Sequence, residues 1–175
     1  MNISVFLASS INGMISNRAN VPDWLSQEYG QGFLAISQRT KAVIMGRKTY
    51  EILIPDHLPL KEEGTLIVLT HDTAATPTQS NVVFTNKTPH EIVRILEARG
   101  HHEAVIIGGT HTVSEFATAG LVDELYLVVE PVLFGGGLPL LRDVDADFKM
   151  TLVDVQKLSA HTVQLHYSMV QSMNT

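Results

Sequence analysis

The sequence predicts an α/β fold: a largely parallel sheet with helices on both faces, finished by an antiparallel hairpin. Three observations predict it. Short apolar runs alternate with segments of helical spacing through the middle of the chain, as in parallel strands joined by crossover helices. The runs are apolar throughout, as strands buried on both faces are. Two long segments near the end alternate instead, at the period of paired antiparallel strands. A length of 175 residues, 45% of them hydrophobic, suits one domain over 1–175 with one substantial core.

In order, residues 3–8 (ISVFLA) read as a buried strand ending at Ser9-Ser10, and Asn12-Gly13 as a turn. Over 24–39, Leu25, Tyr29, Phe33 and Ile36 recur at helical spacing behind Asp23 as N-cap. Gly30 and Gly32 weaken that helix and leave its first half open to being loop. Residues 42–45 (AVIM), 66–69 (LIVL) and 82–84 (VVF) are further buried strands, with a polar loop over 70–81. Thr88-Pro89-His90-Glu91 starts a helix, with Thr as cap, Pro at the first helical position and Glu reaching back. Ile92, Ile95 and Leu96 form its apolar face, and Gly100 ends it. Residues 104–107 (AVII) are a strand. Thr112 and Glu115 form a second capping pair, for a helix ending at Gly120. Residues 125–129 (LYLVV) are a strand. Gly135-Gly136-Gly137 has no helix signal after it and reads as a flexible loop. Segments 149–158 and 161–169 form the hairpin about Ser159-Ala160.

Composition narrows the function. There is no cysteine, which removes disulfides, iron–sulfur clusters, Cys-based zinc sites and thiol nucleophiles together. Adjacent His101 and His102 point apart, and His161 and His166 fall on the hairpin facing solvent or a neighbour, so no metal is expected. A net charge of −6 argues against a basic nucleic-acid-binding surface. No run approaches the ~18 apolar residues of a membrane span, and the N-terminus lacks the basic start of a signal peptide. A soluble, cytoplasmic protein is the expectation. No G-x-S-x-G element points to a hydrolase.

Two strand ends share a design: Val43-Ile44-Met45-Gly46-Arg47-Lys48-Thr49 and Val105-Ile106-Ile107-Gly108-Gly109-Thr110. Each passes from a buried strand through glycine into a helix start, where free N–H groups favour an anion. Two such turns suit a ligand with more than one phosphate. From Tyr29 to Tyr50 there is no Asp or Glu, while Arg39, Lys41, Arg47 and Lys48 contribute a local +4, a candidate phosphate subsite. Neither G-x-G-x-x-G nor G-x-x-x-x-G-K-[ST] occurs, so any dinucleotide is held without a Rossmann fingerprint or P-loop.

These residues resemble a known family. Val43–Tyr50 with Glu51, then Ile67-Val68-Leu69-Thr70 and Val105–Thr110, are similar to dihydrofolate reductases. Ser9-Ser10-Ile11-Asn12-Gly13-Met14-Ile15, Leu121-Val122-Asp123-Glu124-Leu125, Glu130-Pro131 and Phe134-Gly135-Gly136-Gly137 resemble the C-terminal reductase domain of the bifunctional riboflavin-biosynthesis deaminase–reductase. Asp23-Trp24-Leu25 resembles its stand-alone relatives. The resemblance spans essentially the whole chain. It implies a dihydrofolate reductase-like three-layer sandwich with a mixed, mostly parallel central sheet, and NADPH as hydride donor.

By position, the resemblance places Ala8 and Ile15 beside the nicotinamide. Gly46, Arg47, Lys48 and Thr49 would hold the pyrophosphate and 2′-phosphate, with Thr70 and His71 near the adenosine. Gly108, Gly109, Thr110 and Val113 would lie on the pyrophosphate and nicotinamide side. The implied substrate is a small heterocycle or ribosylamino-pyrimidine, and the implied assembly a homodimer, for which the terminal hairpin could serve. The family's acids are displaced: Asn12 stands where riboflavin reductases carry Asp, and Ile107 where their glycine pair follows Glu. Counting back from Gly46 at the spacing of dihydrofolate reductases gives Gly30 where they carry a carboxylate. Asn12, Asp23 and Glu28 are therefore the catalytic candidates, with water as an alternative proton source. Trp24 and Glu130 are candidate substrate contacts. A pterin or folate reductase and a non-catalytic NADP(H)-binding module remain the alternatives, and a protein-interaction domain would predict no NADPH binding.

Overall fold

The apolar run over 3–8 forms the inner strand β1 (Asn2–Ser10) of an eight-stranded sheet. The structure is a computed structural model and describes residues 1–54, 56–60, 63–72, 74, 76–77 and 79–170. The other apolar runs form β3 (Ala42–Gly46), β4 (Thr65–Leu69), β5 (Val82–Thr85), β6 (Glu103–Ile106) and β7 (Glu124–Glu130). The expected hairpin is β9 (Met150–Lys157) and β10 (Val163–Met169). The order is β5-β4-β3-β6-β1-β7-β10-β9, parallel from β5 to β7, with β10 antiparallel to β7 and β9.

Successive strand residues point to opposite faces, so strands apolar throughout create two cores. Ile3, Val5, Ile44, Ile67 and Ile106 face one; Phe6, Val43, Met45, Leu66 and Val105 face the other. Each core needs its own helical layer. Helices α3 (Pro89–Ala98) and α4 (Thr110–Thr118) cover the first through Ile92, Leu96, Val113 and Phe116. Helices α1 (Gln27–Thr40) and α2 (Arg47–Leu53) cover the second through Phe33, Ile36 and Tyr50. The three expected layers are present.

Helix starts repay comparison with the sequence. For α3, Thr88 Oγ1 accepts from Glu91 N at 3.4 Å while Glu91 Oε2 accepts from Thr88 N at 2.9 Å, with Pro89 at the first position, as predicted. For α1 the cap is Ser26, whose Oγ accepts from Tyr29 N at 3.1 Å; Asp23 lies in an exposed turn upstream and does not cap. The segment before Gln27 is therefore loop, while Gly30 and Gly32 lie inside the helix. Gly32 is there because a Cβ would come within 2.8 Å of Phe6 Cζ, so its absence lets α1 sit close on β1. For α4 the predicted Thr112–Glu115 capping pair does not form. The helix starts at Thr110 after Gly109, which puts Val113, Phe116 and Ala117 on the core face and buries Thr112 within the first turn. Glu115 instead lies 3.3 Å from His111.

One element was not predicted. β2 (Met14–Asn17) and β8 (Gly137–Pro139) form a separate antiparallel pair, so Gly137 is strand rather than flexible loop. On the hairpin, the register shifts between His166 and Tyr167, which leaves Val153 as the extra residue of a bulge. His166 does not face solvent: its ring stacks on Tyr126 at 4.1 Å, and Nε2 lies 3.4 Å from Glu124. The outer strand β9 exposes Leu152, Val153 and Val155. Among the described residues, no helix is long and apolar enough to cross a membrane.

Candidate active site

Parallel strands put their carboxyl ends on one edge, where α/β sheets bind ligands. There the two glycine turns meet. Gly46 N donates to Gly108 O at 2.9 Å, and Ile107 N donates to Ile44 O at 3.0 Å, so the end of β3 and the segment after β6 are locked together. Gly108 has φ +137 and would bring a Cβ to 3.1 Å from Thr49 Oγ1; only glycine suits this position. The Gly108–Gly109 peptide is cis. α1 and α3 have side-chain caps, whereas α2 and α4 start at Gly46 and Gly109 with none. The helices whose first N–H groups lack a side-chain acceptor are thus those that begin at the paired turns, an arrangement that suits anions.

Beside the turns runs a cleft of about 1360 Å³. Its near end is lined by Leu7, Ala8, Ile15, Thr49, Gly108 and Gly109. It continues past Trp24, Leu25, Ser26 and Tyr29, then between α1 and the segment around 52–60. Trp24 is set edge-on against Phe134 at 5.1 Å, which fixes the indole as a wall. Tyr29 stacks on Phe6 at 5.4 Å. Of the residues predicted from the sequence, the cleft brings together Ala8, Ile15, Trp24, Thr49, Gly108 and Gly109.

Arg47 sits at the start of α2. Its guanidinium lies 4.6 Å above the Phe84 ring, and Nε donates to Glu51 at 2.7 Å. Nη1 is buried with no hydrogen-bond partner among the described residues. Lys48, next to it, is exposed and has no acidic partner among the described residues. The expected +4 patch does not assemble. Arg39 and Lys41 lie at the opposite end of β3, about 16 Å away by strand rise, and pair with Glu103 at 3.7 Å and Glu63 at 2.9 Å. Proximity in sequence misled because a strand carries its two ends to opposite edges of the sheet.

The remaining candidates fall around this frame. Thr70 Oγ1 accepts from Asp72 N at 3.1 Å, and His71 is exposed beyond it. Thr110 Oγ1 donates to Pro139 O at 2.6 Å, tying α4 to β8. Val113 is buried in the core under α4 and does not line the cleft. Asn12 bridges two segments: Nδ2 donates to Phe134 O at 2.8 Å, and Oδ1 accepts from Ser10 Oγ at 2.8 Å and Phe134 N at 3.1 Å. Asp23 is exposed and Glu28 half-buried in the first turn of α1; neither lines the cleft.

Glu130 is fully buried at the end of β7, one layer behind the cleft wall. Its Oε1 accepts from Ser26 N at 3.0 Å and Ser26 Oγ at 2.7 Å. A carboxylate at the N-terminus of α1 is also favoured by the helix dipole. Burial, and secondarily the Glu130 charge, pushes the Tyr29 hydroxyl well above the usual phenol range. Sequence reasoning missed Ser26 and the 56–60 wall, and it took Tyr29 only as part of an apolar helix face. An apolar helix face and a wall without regular structure carry no site signature, though the buried Glu at a strand end was a usable hint. Among the described residues, no three His, Asp or Glu side chains are grouped to hold a metal ion.

Comparison with known proteins agrees with this frame. The family described as the RibD C-terminal domain matches residues 2–164. The uncharacterized protein YwjB of Bacillus subtilis is 30% identical over 169 residues, covering 93% of this chain and 95% of that protein. A putative riboflavin biosynthesis protein from Shewanella sp. PV-4 superposes with TM-score 0.81 at 22% identity, over 98% of this chain and 100% of that one. The diaminohydroxyphosphoribosylaminopyrimidine deaminase/5-amino-6-(5-phosphoribosylamino)uracil reductase of Thermotoga maritima superposes with TM-score 0.77 at 16% identity, over 97% of this chain and 56% of that one. The shared architecture is the dihydrofolate reductase-like fold.

Proposed function

The chain belongs to the RibD C-terminal domain family, and from that premise we propose that it is an NADPH-dependent reductase acting on a small planar heterocycle. The observation that carries the reading is the pair of hydrogen-bonded glycine turns, each opening a helix without a side-chain cap, beside a large apolar cleft. The residues fit the cofactor. Arg47 Nη1 is a buried cationic donor lacking an acceptor among the described residues, and a phosphate would supply one. Gly46, Arg47, Lys48 and Thr49 would hold phosphate from α2, and Gly108, Gly109 and Thr110 from α4.

When bound, NADPH supplies the hydride. The chain's own residues orient and enclose. Ala8 and Ile15 border the near end of the cleft, and Trp24 and Tyr29 add aromatic surface to its wall for a planar acceptor. Ser26 lines the same cleft with its hydroxyl held by Glu130, so the buried carboxylate orients a polar group at the acceptor's edge. A water in the cleft provides the proton in this reading. The test is NADPH oxidation with pteridines, folates and ribosylamino-pyrimidines as acceptors. Turnover with one of them is expected; it should need about tenfold more NADPH in Arg47→Ala and be lost in Gly108→Asp.

A second reading, a non-catalytic NADP(H)-binding module, draws support from one observation: Asn12, Asp23, Glu28 and Glu130 all lie outside the cleft lining. Tight NADPH binding without turnover of any of these acceptors would favour it.

A further inference from the structure

Asn12 does not line the cleft, yet its hydrogen bonds lead to one wall of it. That wall is Trp24-Leu25-Ser26, the segment that runs into α1. The chain between the end of β7 and the start of β8 holds it at two points. Glu130 accepts from Ser26 N and Oγ, and the Phe134 ring meets the Trp24 indole edge-on at 5.1 Å. Glu130 is the last residue of a strand and is placed by the sheet. Phe134 lies four residues further on, in a stretch without regular structure.

What fixes Phe134 is Asn12. Nδ2 donates to Phe134 O at 2.8 Å, and Phe134 N donates to Oδ1 at 3.1 Å, so one amide grips both main-chain groups of one residue. Ser10 Oγ, fully buried, accepts from Met14 N at 3.0 Å and donates to Oδ1 at 2.8 Å, which ties the amide back to the end of β1. Only a side chain with both a donor and an acceptor at this reach makes the pair. A carboxylate is acceptor only: it would keep Phe134 N but set a charged oxygen against Phe134 O.

Resting on the reductase reading, we propose that Asn12 is a positioning residue for the acceptor: by gripping Phe134 it sets the Trp24 indole, and with it the wall against which a planar heterocycle packs. Asn12 itself touches neither acceptor nor cofactor. The hydrogen bonds that lock the glycine turns, Gly46 N to Gly108 O and Ile107 N to Ile44 O, do not involve this segment, so the effect falls on the acceptor and not on NADPH.

Trp24 is the sole tryptophan, so its emission and its quenching by acrylamide report the wall in the intact protein. Asn12 is exposed, so its substitution leaves both cores intact. Asn12→Asp should red-shift the emission and raise the quenching. Phe134→Leu should do the same, and the double variant should go no further than Phe134→Leu alone, because both act through one ring. In NADPH oxidation with dihydropterin or a ribosylamino-uracil as acceptor, Asn12→Asp should raise the acceptor KM about fivefold, the scale of one hydrogen bond. The kcat and the directly titrated NADPH affinity should stay at the parent values. Unchanged Trp24 emission and quenching in Asn12→Asp would overturn the inference. So would an unchanged acceptor KM beside a shifted Trp24, or NADPH affinity falling in step with the acceptor. A shifted Trp24 in protein that turns over neither acceptor would uphold the grip on the wall while sinking the reductase reading.

Discussion

Arg47 holds its guanidinium over Phe84, engages Glu51 through Nε and keeps its buried Nη1 without an acceptor among the described residues. Arg47→Ala should therefore weaken NADPH about tenfold or more, the scale of a charge-assisted hydrogen bond, and change NADH little; parallel titrations of the two cofactors check this. Glu130 poses a different problem, since Ser26 N and Oγ both donate to one buried oxygen. Glu130→Ala should cost about 1–3 kcal/mol in denaturant unfolding, because two donors lose their acceptor. Tyr126 gives a pH signature. Burial, then the hydrogen bond to Glu124, raises its hydroxyl to about 12. A folded-state value above the unfolded one means stability present below the unfolded phenol value and lost as pH rises through the folded one. Unfolding curves should weaken from about pH 10 toward 12, and less steeply in Tyr126→Phe. At this scale the glycines and Arg47 were legible because their chemistry is local. Glu130's partner was not, since Ser26 is 104 residues away in sequence.

Elements with strong local signals came through the sequence well. α3 carries its cap, its proline and its apolar face within ten residues, and it forms as predicted. Thr88→Ala should cost about 1 kcal/mol by removing that cap. The hydrogen bonds from Thr88 also hold the Glu91 carboxyl below the usual carboxylate range. The contribution of this pair is thus present above the unfolded Glu value and lost as pH falls through the folded one. The cap of α4 was placed three residues late, at Thr112 rather than Gly109, because Thr112 and Glu115 mimic a cap, whereas the burial of Val113 and Phe116 decides where the helix begins. β2 and β8 are four and three residues long, too short to show a period, and they pair across more than a hundred residues, so no local pattern announces them.

For the whole molecule, the decisive feature is that parallel strands gather both glycine turns on one edge while helices close both faces. The alternation of apolar runs was enough to predict that the two glycine turns meet at one edge. It was not enough to predict the cleft's second wall around 52–60, which has little regular structure, or the dispersal of the +4 stretch along β3. Phe116, fully buried beneath α4, joins that helix to the sheet; Phe116→Ala should cost about 3–5 kcal/mol in thermal or denaturant unfolding. The central claim is that the paired turns hold NADPH, and calorimetric titration of NADPH and NADH into the intact chain and into Gly108→Asp tests it most directly. The account predicts one NADPH site per chain, NADH bound more weakly, and no binding in Gly108→Asp; absence of NADPH binding, or unchanged binding in that folded variant, would contradict it.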